Sequence, residues 1–171
     1  MSKKGNRAWG RASLACSILL AAAAANAAAP LTLTGWDARA VDTARKGAVK
    51  RLESEECRKL FTDFADSQGR TLRQNLEEWT SSAAEYVALV PFLDGSSQAS
   101  CRKGNVALVT SPGVRRVFVC KAFADVQLRQ PGVAESMVIH EILHTLGLGE
   151  APQKGAPTSI EITQRVEARC R

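Results

Sequence analysis

Histidine is nearly absent from this 171-residue chain: it has two, His140 and His144, four positions apart. Any metal or proton-transfer site built on imidazole must use that pair. The cysteines never fall in a CxxC-type spacing, which excludes the usual cysteine zinc sites. Tyr86 is the single tyrosine, no aspartate follows Asp125 and no methionine follows Met137. No cluster of Lys and Arg interleaved with aromatics occurs, so nucleic acid is not an expected partner. The apolar run Ala12 to Ala25 falls short of the roughly 20 residues a stable membrane anchor needs.

What that run does resemble is an export signal. Lys3, Lys4, Arg7 and Arg11 precede it, and the small residues after it suit cleavage between Ala27 and Pro30. Cys16 sits within the run but has Ser13, not an apolar residue, three positions before it, so a lipid anchor is not expected. The expected organisation is a signal peptide over 1–29 and one domain over 30–171, exported to a periplasmic or secreted location. The leader carries 4 of the 23 basic residues and none of the 17 acidic ones, leaving 19 against 17 in the mature part. The sequence pI of 9.3 therefore reflects the leader more than the domain.

Cys57, Cys101, Cys120 and Cys170 survive such processing, and an even count in an exported chain favours two disulfides. Cys101 and Cys120 flank a hairpin-like segment turning at Ser111-Pro112-Gly113, so they are the preferred pair, leaving Cys57 for Cys170.

Hydrophobic periodicity predicts an α+β domain: N-terminal helices, a short and mainly antiparallel sheet, a motif helix and a short C-terminal helix. Apolar positions from Trp36 to Phe64 recur at three and four residues, with a break expected near Ser54, and a further short helix fits Thr71 to Thr80. Tyr86 to Leu93 reads as a strand, limited by Pro91 to an edge. Val106–Thr110 and Arg115–Cys120 read as an antiparallel pair. Helical spacing returns from Val133 to Leu146 and stops at Gly147 and Gly149. Thr158-Ser159-Ile160-Glu161 has the form of a capping box and opens a last helix running to about Cys170.

The chemistry concentrates in His140-Glu141-Ile142-Leu143-His144. On a helix, residues four apart are rotated by about 40° and one turn along, so both imidazoles project to one side and can share a metal ion. Glu141, beside the first ligand, can take a proton from water activated by that metal. A third protein ligand must then be a carboxylate, a cysteine or a less usual donor, and Glu150, Glu161 and Glu167 lie downstream. Glu150 has the right spacing, whereas Glu161 already has a role as the fourth residue of the capping box. The bland alternative is a buried helix whose histidines are hydrogen-bonded core residues.

Extended to Glu150, the run HEILHTLGLGE resembles the HExxHxxGxxH/D signature of metzincins and small snapalysin-like secreted peptidases. That resemblance implies a small zincin-like domain, with His140, His144 and Glu150 as ligands to Zn2+, Glu141 as catalytic base and Gly147 as the turn. It also implies a peptide or protein substrate lying along an edge strand. The pattern departs in having glutamate at its last position and no methionine turn after the motif. The expected activity is zinc-dependent hydrolysis of peptide bonds outside the cytoplasm. The alternatives are a zincin-like binding or structural protein without turnover, and hydrolysis of a non-peptide amide. Tyr86 could donate to a developing oxyanion, but a buried aromatic at the start of a strand is the preferred role, and the oxyanion donor stays unassigned.

Overall fold

The computed structural model describes residues 32–104 and 106–171. The expected signal peptide lies outside them. No helix among the described residues is long and apolar enough to cross a membrane.

Among the described residues the chain order is helices α1 (Gly35–Leu52), α2 (Glu55–Arg58), α3 (Leu60–Asp63), α4 (Leu72–Glu77) and α5 (Ala83–Leu89), strand β1 (Phe92–Asp94), helix α6 (Ala99–Arg102), strands β2 (Leu108–Val109) and β3 (Val117–Val119), and helices α7 (Ala122–Arg129), α8 (Pro131–Thr145) and α9 (Ser159–Arg169). The α+β expectation holds, with helix dominating. Helix α8 is the hub: α1 and α7 pack on it, α9 covers another side, and β2 approaches it. Its Ala134, Val138, Ile139, Ile142 and Leu143 are all buried, as a helix surrounded by others requires. Helix α1 contributes the matching stripe Ala40, Val41, Ala44, Ala48 and Leu52. Gly47 leaves room for the Glu135 side chain of α8, whose carboxyl a Cβ there would meet at 2.3 Å.

Two expectations need correction. Residues 86–89 are helix, not strand; the strand begins only at Phe92. Ser82 caps this helix by accepting from the Glu85 N–H, and the helix stops before Val90, which precedes Pro91 and is extended. The buried positions Ala83, Tyr86, Val87 and Val90 have helical spacing that the continuous apolar run conceals. The sheet is also not mainly antiparallel. Its order is β1-β3-β2, with β1 parallel to β3 over three residue pairs and β2 antiparallel to β3 over two. After β1 the chain passes through α6 into β2, which runs opposite to β1, and the turn at Ser111-Pro112-Gly113 reverses it again, so β3 lies beside β1 in the same direction.

Both preferred disulfides form. Cys57–Cys170 ties α2 to the end of α9, and Cys101–Cys120 ties α6 to the residue after β3. Such bonds fit an oxidising environment. Around the first, Arg169 bridges Asp63 at 3.0 Å and Glu56 at 3.0 Å, while Arg51 pairs with Glu135 at 2.6 Å and donates to the Cys170 carbonyl. Helix α9 is thereby fastened to α2, α3, α1 and α8.

Candidate metal centre

Helix α8 opens with Pro131 at a position that needs no N–H and ends in a glycine turn. The Gly147 N–H bonds to the His144 carbonyl at 2.9 Å and the Leu148 N–H to the Leu143 carbonyl at 3.2 Å, the paired bonds of a Schellman motif. Gly147 has φ +105, which L side chains rarely adopt. This turn sends the chain back over the last helical turn. The Asn75 amide, from α4, secures it by donating to the Leu146 carbonyl at 2.8 Å and to Asp66 at 2.9 Å. From the other side, the Gly113 N–H of the β2–β3 turn also bonds to the His144 carbonyl, at 2.9 Å.

The reversal brings three donor atoms together. Nε2 of His140 and Nε2 of His144 lie 3.0 Å apart, and Oε2 of Glu150 lies 3.2 Å from the second and 3.7 Å from the first. Donors held tetrahedrally ~2.0–2.1 Å from a zinc ion stand roughly 3.3–3.4 Å from one another, so these separations bracket that value. Both histidines are buried and Glu150 is half-buried. The group His140, His144 and Glu150 could therefore hold one metal ion.

Hydrogen bonding gives a second reason. His144 Nδ1 lies 2.7 Å from the Leu148 carbonyl, which can only accept, so Nδ1 carries the proton and Nε2 presents a lone pair. That lone pair faces the Glu150 oxygen, acceptor against acceptor, an arrangement that a cation between them satisfies. His140 Nδ1 meets the Thr163 hydroxyl of α9 at 3.1 Å. Burial, with His144 alongside, lowers the His140 pKa to about 4, so the ring is neutral and able to ligate at neutral pH.

Glu141 lies beside this group. Burial raises its pKa to about 7, the Glu150 charge adds to the rise, and a hydrogen bond from Thr110 opposes it. The Thr110 hydroxyl, just beyond β2, also lies 3.2 Å from the Arg116 carbonyl.

Of the downstream carboxylates, only Glu150 joins the histidines. Glu161 instead closes the capping box of α9, accepting from the Thr158 N–H at 2.7 Å, and Glu167 is exposed on that helix. Tyr86 is fully buried with its hydroxyl beside Thr145, so it packs the core and offers no donor to a cleft. Sequence reasoning missed Asn75, Asp66, Thr110, Thr163 and the Leu148 carbonyl. The Schellman ending implies a free carbonyl near Gly147; nothing in the local pattern marks the other four, which arrive from separate elements.

A comparison with known protein families, curated proteins and solved structures found no match to this chain.

Proposed function

We propose that this chain is a zinc metallopeptidase of the zincin type, acting on peptides or proteins outside the cytoplasm. The observation that carries the reading is the convergence of His140 Nε2, His144 Nε2 and Glu150 Oε2 at tetrahedral spacing, with Glu141 adjacent. Two imidazoles and one carboxylate are a donor set that zinc accepts in catalytic sites, leaving a fourth position for substrate or water. When bound, the ion supplies a Lewis acid that polarises the scissile carbonyl and acidifies water. Glu141 takes the proton of the attacking water and delivers it to the departing amine. In the metal-free site burial already favours a proton on this carboxyl, which suits a group that must both take a proton and deliver one. Leu148 and Thr163 orient the two rings through their Nδ1 atoms. Strand β2 is an edge among the described residues, and Thr110 at its end contacts Glu141. A substrate paired to that edge would add main-chain hydrogen bonds and bring its backbone to the base.

The test is metal content and turnover together. Purified protein is expected to carry one zinc per chain and to cleave an unstructured protein substrate. Glu141→Gln is expected to keep the zinc while cleavage falls by ~100-fold or more. Protein that takes up no zinc would overturn the metal centre. Zinc without cleavage, in wild type and variant alike, would favour the binding protein.

A further inference from the structure

Helix α8 begins among hydrogen-bond donors that no acceptor of the described residues uses. Of its first N–H groups, those of Val133 and Ala134 bond to the Gln130 carbonyl at 2.9 and 3.1 Å, and Pro131 has none to offer. The Gly132 N–H is left over, because the Gln130 side chain does not cap the helix. Beside it lies Arg51, whose Nε and Nη1 are taken by Glu135 and by the Cys170 carbonyl. Its Nη2 stands 3.1 Å from where a Gly132 Cβ would be and meets no acceptor among the described residues.

Ser136 supplies the third donor. It lies one turn beyond Gly132 on the same side of α8 and is only 6% exposed, yet its hydroxyl has no partner among the described residues. A polar group so deeply buried is costly to leave unpaired, so its place suits a ligand that accepts from it. Gly132, Ser136 and Arg51 line one pocket of about 360 Å³, together with Gln130, Val133 and, from α9, Glu167.

A helix N-terminal N–H, a hydroxyl and a guanidinium N–H are donors that a carboxylate accepts from. A simple anion does not complete the pocket, however. The Arg51 charge is already balanced by Glu135 at 2.6 Å, which leaves exposed Glu167 as an uncompensated negative charge on the wall. A ligand carrying an ammonium next to its carboxylate answers both sides at once.

We infer that this pocket binds a free α-amino acid, its carboxylate held by the Gly132 N–H, the Ser136 hydroxyl and Arg51 Nη2, and its ammonium turned to Glu167. The pocket is separate from the metal centre, since Ser136 lies a full turn before His140 and none of His140, His144 and Glu150 lines it. It does not rest on the zinc reading.

Titration of nitrogen-15-labelled protein with glycine, followed through its amide resonances, tests this, with acetate, methylammonium and inorganic phosphate as comparison probes. Glycine is expected to shift the Gly132 and Ser136 amides saturably, acetate and phosphate to do so more weakly, and methylammonium not at all. Ser136→Ala is expected to weaken glycine binding ~10-fold or more, the effect of one hydrogen bond to a charged group. Its melting temperature should not fall, because the change removes an unpaired buried hydroxyl and introduces the best helix former. Glu167→Gln is expected to bring glycine down to the level of acetate. The absence of a saturable shift with glycine would overturn the inference, as would a Ser136→Ala protein that binds glycine like wild type. Acetate or phosphate binding as tightly as glycine would overturn it too, leaving a plain anion site. The titration runs equally in chelator, so failure of the zinc reading leaves this test standing.

Discussion

The side-chain amide of Asn75 donates to the main-chain carbonyl of Leu146, 71 residues along the chain, at 2.8 Å. Leu146 is the residue at which α8 ends and Gly147 begins the return to Glu150. One side chain on α4 thus secures the turn that brings Glu150 to the two histidines. Asn75→Ala leaves that carbonyl without its partner and Asp66 without one of its donors. A loss of about 1–3 kcal/mol is expected in chemical denaturation, with weaker zinc binding by the folded fraction. A variant as stable as wild type would remove Asn75 from this role.

At Gly147 the demand is conformational and steric together. An alanine would adopt φ +105 with its Cβ 3.1 Å from the Asp66 Cβ. Gly147→Ala is expected to cost at least ~1–2 kcal/mol and to lower the melting temperature, with the Glu150 loop displaced. Calorimetry of the metal-free protein measures the first effect and zinc titration the second.

The carboxylates separate by their partners. Glu150→Ala removes a donor from the group of three and is expected to weaken zinc binding severely. Glu161→Ala removes only the reciprocal half of a capping box, costing about 1 kcal/mol of stability and leaving zinc affinity unchanged. Competition with a chromogenic chelator checks both, and the reverse ranking would transfer the third-ligand role to Glu161.

Metal-free stability should depend on pH in a way that isolates Glu141. Its folded pKa, about 7, exceeds the ordinary 4.5, so its contribution is complete below 4.5 and is lost as pH rises through 7. His140 runs the other way: with a folded pKa of about 4 against 6.5, the unfolded chain takes a proton that the folded one refuses, and stability falls as pH drops from 6.5 to 4. Between pH 4.5 and 6.5 the two slopes oppose and wild type is expected to be nearly flat. Glu141→Gln leaves only the histidine, so stability should rise with pH at up to ~1.4 kcal/mol per unit. Urea denaturation in chelator across this range checks it, and identical slopes in the two proteins would refute it.

The disulfides differ in reach, 113 residues for Cys57–Cys170 against 19 for Cys101–Cys120. In the chain-entropy model, removal costs about 4–5 kcal/mol for the longer and about 3 for the shorter. Cys57→Ala with Cys170→Ala should also weaken zinc binding, because α9 carries Thr163. The Cys101 and Cys120 pair of substitutions should spare it, as read by zinc titration of each folded double variant.

Much of the site was legible before any tertiary structure, because its spacing is local. Residues four apart on a helix must share a side, and a glycine beyond the helix end favours the left-handed turn found at Gly147. Scarcity did the rest: with two histidines and no late aspartate, the third ligand had to be sought among a few glutamates. The break at Ser54 and the capping box at Thr158 were readable for the same reason, since caps are contacts between near neighbours in sequence.

What the sequence determined by itself was therefore the motif helix, its ending and a short list of ligands, whereas for the four cysteines it offered a preferred pairing among three that the tertiary structure then settled. Tertiary structure decided which glutamate faces the histidines, what each imidazole's second nitrogen meets, and how far Glu141 is buried. It also decided that residues 86–89 are helical and that β1 runs parallel to β3. These properties depend on elements far apart in the chain that α8 gathers around itself. A ring tautomer, a raised pKa or a strand direction is set by whatever packs alongside, and local spacing carries no record of that neighbour.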